Sequence, residues 1–144
     1  MKKRLWMIAV LMGVLFLTGC LNREAAKAKI FRLVEKNYDL IAEACEKEDK
    51  AALCALDGVA EVKIRDGYVV VYCMGGGIAP SSQDYGFYYS EENLPVAIDC
   101  NEKIICDTVD LTPEGKGYRY LDSGHNVFYT EYITGNIYYY SAAY

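Results

Sequence analysis

Three patterns of apolar and polar positions follow one another along the chain. Leu5–Leu17 (LWMIAVLMGVLFL) is an unbroken uncharged run of 13 residues behind Lys2, Lys3 and Arg4. From Arg23 the pattern becomes periodic. Ile30, Phe31, Val34, Tyr38, Ile41 and Cys45 recur at helical spacing with Lys, Glu and Asp between them, which predicts an amphipathic helix of about 25 residues. Asn22 is placed to cap its start, and Asp49 to cap a short second helix over Lys50–Leu56 that Asp57-Gly58 ends.

The period then changes from 3.6 to 2. "VAEVKIRDGYVVVY" reads as a hairpin about Asp66-Gly67, a pair that suits a type I′ turn with positive φ at both positions. Pairing outward sets Ile64 against Val69, Val62 against Val71 and Ala60 against Cys73, all on one face, with Glu61 and Lys63 on the other. Met74–Asp84 (MGGGIAPSSQD) reads as a loop, because glycines, a proline and serines are poor strand formers. Strands are expected at Tyr85–Ser90, Val96–Cys100, Ile104–Asp107, Tyr118–Leu121, Val127–Ile133 and Ile137–Tyr144. Gly135-Asn136 fits a type II′ turn. Pairing outward from it puts Tyr132 opposite Tyr139 and Glu131 opposite Tyr140. Glu131 then marks Tyr138 and Tyr140 as the wetter face and leaves Tyr139 and Tyr132 to the core. The expected fold class is α+β: an N-terminal amphipathic helix packed on a mainly antiparallel, tyrosine-rich β-sheet built of hairpins.

The opening run changes where this domain is expected to reside. As a helix, Leu5–Leu17 would span about 20 Å, short of the ~30 Å hydrocarbon core, so a cleaved export signal fits better than a membrane span. Leu17-Thr18-Gly19-Cys20 resembles the bacterial lipobox, whose cysteine carries a diacylglycerol. The expected organisation is a signal peptide over 1–19, a lipidated N-terminus over 20–22 with Cys20 modified, and one domain over 23–144. The expected location is the extracytoplasmic face of the cell membrane. Loss of the signal's three positive charges takes the net charge from −5 to −8, which disfavours nucleic acid as a partner.

Five cysteines remain, an odd number. Cys100 and Cys106 bracket "NEKII" and could pair across a hairpin; Cys45 and Cys54 could pair where the helices fold back; Cys73 is expected to stay reduced. Free buried thiols are the alternative. With no CxxC and His125 as the one histidine, neither a metal site nor a cofactor is expected. Gly75-Gly76-Gly77 lacks the Lys-Ser/Thr and helix start of a phosphate loop. Ser81 and Ser82 lack a nucleophile-elbow context. A Cys73/His125 couple has no identified orienting group or oxyanion hole. Glu91-Glu92, and Asp107 with Asp110, fall in turns as solvated charge.

Tyrosine is the compositional outlier, 14 of 144 residues, concentrated in strands. It suits half-buried sheet surfaces and also rigid contact surfaces. Tyr88, Tyr138 and Tyr140 are the candidates for such a surface. "GFYYSEENLPVAI", "DGYVVVYCMGGG" and "GNIYYYSAAY" together resemble a group of small lipoproteins of gut-type Gram-positive anaerobes, over about Val59 to Tyr144. Met74 interrupts the group's usual Cys-Gly-Gly, and Ile137 stands where an aromatic is commoner. The resemblance implies the same domain and lipid anchor and no particular activity. The expected function is non-catalytic binding, with the membrane held through Cys20 and an envelope protein or glycan as partner. A small cell-wall hydrolase or thiol enzyme, and an immunity or inhibitor lipoprotein, are the alternatives.

Overall fold

A computed structural model of the chain describes residues 23–78, 81–98, 104–106 and 110–144. It is mainly an antiparallel sheet with a few helices. Helix α1 covers 23–36, α2 Tyr38–Glu46 and α3 Lys50–Cys54. The strands are β1 Glu61–Arg65, β2 Tyr68–Ile78, β3 Ser81–Ser90, β4 Ala97–Ile98, β5 Ile104–Cys106, β6 Thr112–Glu114, β7 Gly117–Leu121, β8 Val127–Thr134 and β9 Ile137–Ala143. Seven of them form one sheet in the order β1-β2-β3-β9-β8-β7-β6, and β4 pairs with β5 separately.

The helical stripe is interrupted once. At Asn37 the backbone N–H is shared between the Leu33 and Val34 carbonyls, and the side-chain amide donates to the Leu33 carbonyl at 2.8 Å. That competition turns the expected single helix into α1 and α2. Asp49 caps α3 as expected, accepting from the Ala52 N–H at 3.0 Å. Asn22, the expected cap of α1, lies outside the described residues. Ala26, Ile30, Val34, Ile41 and Cys45 are buried against Val62, Val71, Phe87 and Tyr139. Each isoleucine or valine among them contributes on the order of 1.5–3 kcal/mol by leaving water.

The first hairpin has the expected register, Val62 opposite Val71 and Ile64 opposite Val69. Its turn is not type I′. Gly67 is left-handed at φ 74, whereas Asp66 is not among the residues of positive φ. The expected Met74–Asp84 loop is instead a continuation of the ladder: Gly75 pairs with Asp84, Gly76 with Gln83 and Gly77 with Ser82 beyond an irregularity at Cys73. Strand pairing is made by backbone groups, so glycines next to an already zipped hairpin can extend it. Pro113 sits in β6 at the sheet edge, where a missing N–H costs no ladder bond.

In the β8–β9 hairpin, Tyr139 faces the helices and Tyr138 and Tyr140 face away as expected, but the sides of β8 are corrected. Gly135 is left-handed at φ 54, as the turn requires, but the ladder slips between Tyr132 and Thr134. The extra residue brings Glu131 opposite Tyr139 and Tyr132 opposite Tyr138. Glu131 therefore points toward the helices, and Tyr132 lies on the other face at 52% exposure rather than in the core.

That other face is covered too. After β3 the chain passes back across it, and Val96 and Ile98 pack with Val70, Tyr88, Tyr138 and Tyr140 in a second core. Phe128, Ala97 and Ala142 form a third. The Tyr88 hydroxyl fastens this layer: it accepts from the Val96 N–H at 2.8 Å and lies 2.7 Å from Thr130 Oγ1. Gly86, paired with Tyr140, leaves room for that ring; a Cβ there would stand 2.6 Å from Tyr140 Cε1 and would also strike the Val71 carbonyl.

Two glycines separate two kinds of cost. Around Gly67 a Cβ would meet nothing within 4 Å, so Gly67→Val strains only the backbone, by about 1–2 kcal/mol. Gly86→Ala overpacks the second core, by about 1–3 kcal/mol, although alanine is the smaller residue. Urea unfolding should show both losses, with Gly67→Asn close to wild type; an unchanged Gly86→Ala midpoint would contradict the packing of Tyr140.

Candidate functional site

Helix α1 and strand β8 meet through charge. Glu131 is 4% exposed, and a carboxylate so placed is stable only with partners. Lys27 from α1 forms an ion pair with its Oε2, and the Tyr129 hydroxyl donates to the same oxygen at 2.6 Å. Lys27 Nζ lies 5.6 Å from the Phe31 and Tyr129 ring centroids and 5.9 Å from that of Tyr139, so aromatic faces take the rest of its field. Burial, then the bond to and charge of Glu131, push the Tyr129 hydroxyl well above the ordinary tyrosine range, which keeps it a donor.

One turn before Lys27, at the start of α1, the helix and sheet part to leave a cleft of about 320 Å³. Arg23, Arg119, Gln83, Tyr85, Tyr129 and Ser141 supply its chemistry. Arg23 is held with its guanidinium 5.9 Å above the Tyr129 ring. Arg119 Nε is 3.6 Å from Glu114 Oε2, an ion pair too long for a hydrogen bond, and that nitrogen is buried with no hydrogen-bond partner. The Tyr85 hydroxyl donates to Gln83 Oε1. The cleft can hold a small polar molecule.

A second opening of about 330 Å³ lies by Cys45, Glu46, Arg65, Tyr68, Tyr89 and Glu91. Its one sulfur is unreactive: burial pushes the Cys45 thiol up to about 12. Burial does the same to Cys73, also to about 12. Cys73 and His125 are not brought together. Cys73 faces the helices from β2, while His125 is exposed in the β7–β8 turn with φ 67, three strand spacings across the sheet, roughly 14 Å or more. That turn is organised by Asp122, which accepts from the Gly124 and Asn126 backbone N–H groups and the Asn126 amide.

The other candidates divide as follows. Cys45 and Cys54 are free and not joined, because Cys45 turns into the core while Cys54 points to solvent. Cys20 and Cys100 lie outside the described residues, as does the side chain of Cys106. Tyr88, Tyr138 and Tyr140 are not a contact surface: all three are buried in the second core. The covering segment that carries Val96 and Ile98 is the reason. The tyrosines exposed on that side are Tyr132 and, at 40%, Tyr118. Tyr132 stacks edge-on against Tyr138 with centroids 5.5 Å apart. Glu91 and Glu92 are exposed in a turn, and Asp110 is exposed in a bend. Among the described residues no group of three or more His, Cys, Asp or Glu could hold a metal ion. Arg23, Lys27 and Arg119 were not singled out by the sequence, and Glu131 only as a marker of the wetter face, although Lys27 occupies the apolar stripe one turn before Ile30 and Phe31.

No protein-family model, curated protein or solved structure matches the chain.

Two outcomes test this placement. Tyr88→Ala, Tyr139→Ala and Tyr140→Ala should each cost about 3–5 kcal/mol, and Tyr132→Ala under about 1 kcal/mol, in chemical unfolding. A stable Tyr140→Ala protein would mean the second core is not formed. In native protein at pH 8, iodoacetamide should modify Cys54 and spare Cys45 and Cys73, read by peptide mass spectrometry. Because the two buried thiols are raised from the ordinary 9.0 to about 12, their contribution to stability is complete below pH 9 and is lost as pH rises through about 12. A melting temperature that climbs over that interval would contradict their burial.

Proposed function

We propose that this chain is a lipid-anchored, extracytoplasmic lipoprotein whose domain, 23–144, binds a small ligand in the Arg23/Arg119 cleft without transforming it. The observation that carries the reading is the position of the cleft. Its lining includes Arg23, three residues beyond the lipobox cysteine Cys20, so a diacylglycerol on Cys20 would hold the cleft within roughly 11 Å of chain from the membrane surface. In this reading the N-terminal amphipathic helix, packed on the tyrosine-rich sheet, connects anchor to site. No described helix is long and apolar enough to cross a membrane. The resemblance to small lipoproteins over Val59 to Tyr144 supports the same anchor.

Binding is favoured over catalysis by the state of the reactive groups. The thiols of Cys45 and Cys73 are buried and neutral, and Glu131 is committed to Lys27 and Tyr129. The partner is an envelope component rather than nucleic acid, in keeping with an acidic chain.

Cells fed labelled palmitate should incorporate it into the wild-type chain and not into Cys20→Ala, which should also keep its first 19 residues. Label persisting in Cys20→Ala would overturn the anchor. For the site, Gln83 is exposed at the cleft, so Gln83→Trp should fill it at unchanged melting temperature. An envelope molecule that copurifies with wild type and is lost from Gln83→Trp supports binding there; equal recovery from both would overturn it.

A further inference from the structure

We propose that the cleft is selective for a singly charged oxyanion, a carboxylate or a phosphodiester, gripped between Arg23 and Arg119; this rests on the binding reading above. Three observations converge on that class. The first is the local charge. Arg23 and Arg119 line the cleft with Glu114 as the one carboxylate in its wall, which leaves one positive charge to be matched. Lys27 and Glu131, deeper under α1, neutralise each other and add nothing to this balance.

The second is an unused donor. Arg119 Nε is buried and makes no hydrogen bond, and its 3.6 Å ion pair with the half-exposed Glu114 carboxylate does not satisfy it. An oxyanion accepting from the guanidinium fork removes that deficit, a geometry in which arginine has no equal. Gln83 contributes in the same sense. Its Oε1 accepts the Tyr85 hydroxyl, which leaves the amide nitrogen of Gln83 to donate.

The third is the field of the whole chain. With a net charge of −5 for the whole chain and −8 without residues 1–19, long-range repulsion disfavours dianions and polyanions, so the cleft's single excess positive charge suits a monoanion. The Tyr129 ring lies under the Arg23 guanidinium and Tyr85 lines the same cleft, and burial raises both hydroxyls above their ordinary range, so they present neutral, non-repelling walls. Glu114 is then an internal competitor that the ligand must displace from Arg119.

The test uses the full chain in neutral detergent, titrated calorimetrically with N-acetyl-alanyl-alanine, its C-terminal amide, glycerophosphoglycerol and citrate. Binding of either monoanion is expected, with the stronger one identifying carboxylate or phosphodiester as the source. Arg23→Gln and Arg119→Gln should each weaken it at least tenfold at unchanged melting temperature, and Glu114→Gln should strengthen it several-fold. A merely structural role for Glu114 would not raise affinity. The proposal is overturned if the amide or citrate binds as well as the monoanions, if Glu114→Gln weakens binding, or if no probe binds. The binding reading itself survives any of these when a natural ligand is still lost from Gln83→Trp, and fails when it is not.

Discussion

Every residue of β9 from Ile137 to Ala142 is buried, so the sheet has no wet face along its middle. Most of the structure follows from that constraint. A strand buried on both sides needs a layer above and a layer below: α1 and α2 supply one, and the segment running into β4 supplies the other. Two buried tyrosines of this region, Tyr138 and Tyr88, bring their hydroxyls to partners. Tyr138 donates to the Asn93 carbonyl at 2.9 Å and so fixes the loop leaving β3. Tyr88, on the neighbouring strand, joins Val96 to Thr130, and Thr130 passes the chain of bonds to the Tyr139 carbonyl at 3.1 Å. Buried polar networks of this kind are costly when incomplete and specify one arrangement when complete.

The same constraint explains which parts of the fold were legible in the sequence. The β1–β2 hairpin could be read because turn chemistry and alternating valines gave one answer, and local rules suffice when strands are neighbours in sequence. The helical stripe was equally plain, apart from Asn37, whose side chain competes for a carbonyl that periodicity does not register. The glycine stretch was misread because a ladder needs backbone, not side chains, once a hairpin has been started. The sides of β9 were read correctly, but those of β8 were reversed on the premise that a glutamate shuns the core. Two facts defeat that premise, the slip before Thr134 and the pairing of Glu131 with Lys27, and both depend on contacts distant in sequence.

The candidate site was less legible than the fold. Tyrosine abundance pointed to a surface, yet in Tyr88, Tyr138 and Tyr140 it reports a second core, because a chain segment far from β9 covers them. Arg23 and Arg119 carry no motif and stand 96 residues apart in number. The one available signal was Lys27, a charge on the apolar stripe of a helix, which calls for a buried carboxylate on the opposing sheet. Glu131, the one acid in the strand VFYTEYIT, is that partner. Reading the two as a pair would have turned β8 the right way out.

Tyr129 joins this core to the cleft. Its hydroxyl donates inward to Glu131 and its ring faces outward beneath the Arg23 guanidinium. The orientation of Arg23 therefore depends on a side chain fixed by a buried ion pair, and not on the helix terminus alone. A flexible arginine loses rotamer freedom when it grips a ligand, at about 0.5–1.5 kcal/mol per ordered side chain, so ordering it in advance raises affinity without adding a contact. Arg119 is held differently, by Glu114 on the adjacent edge strand, with solvent at both side chains. One wall of the cleft is thus tied to the core and the other to a weak surface pair. This asymmetry lets the Arg119 side exchange its partner for a ligand while the Arg23 side keeps its place.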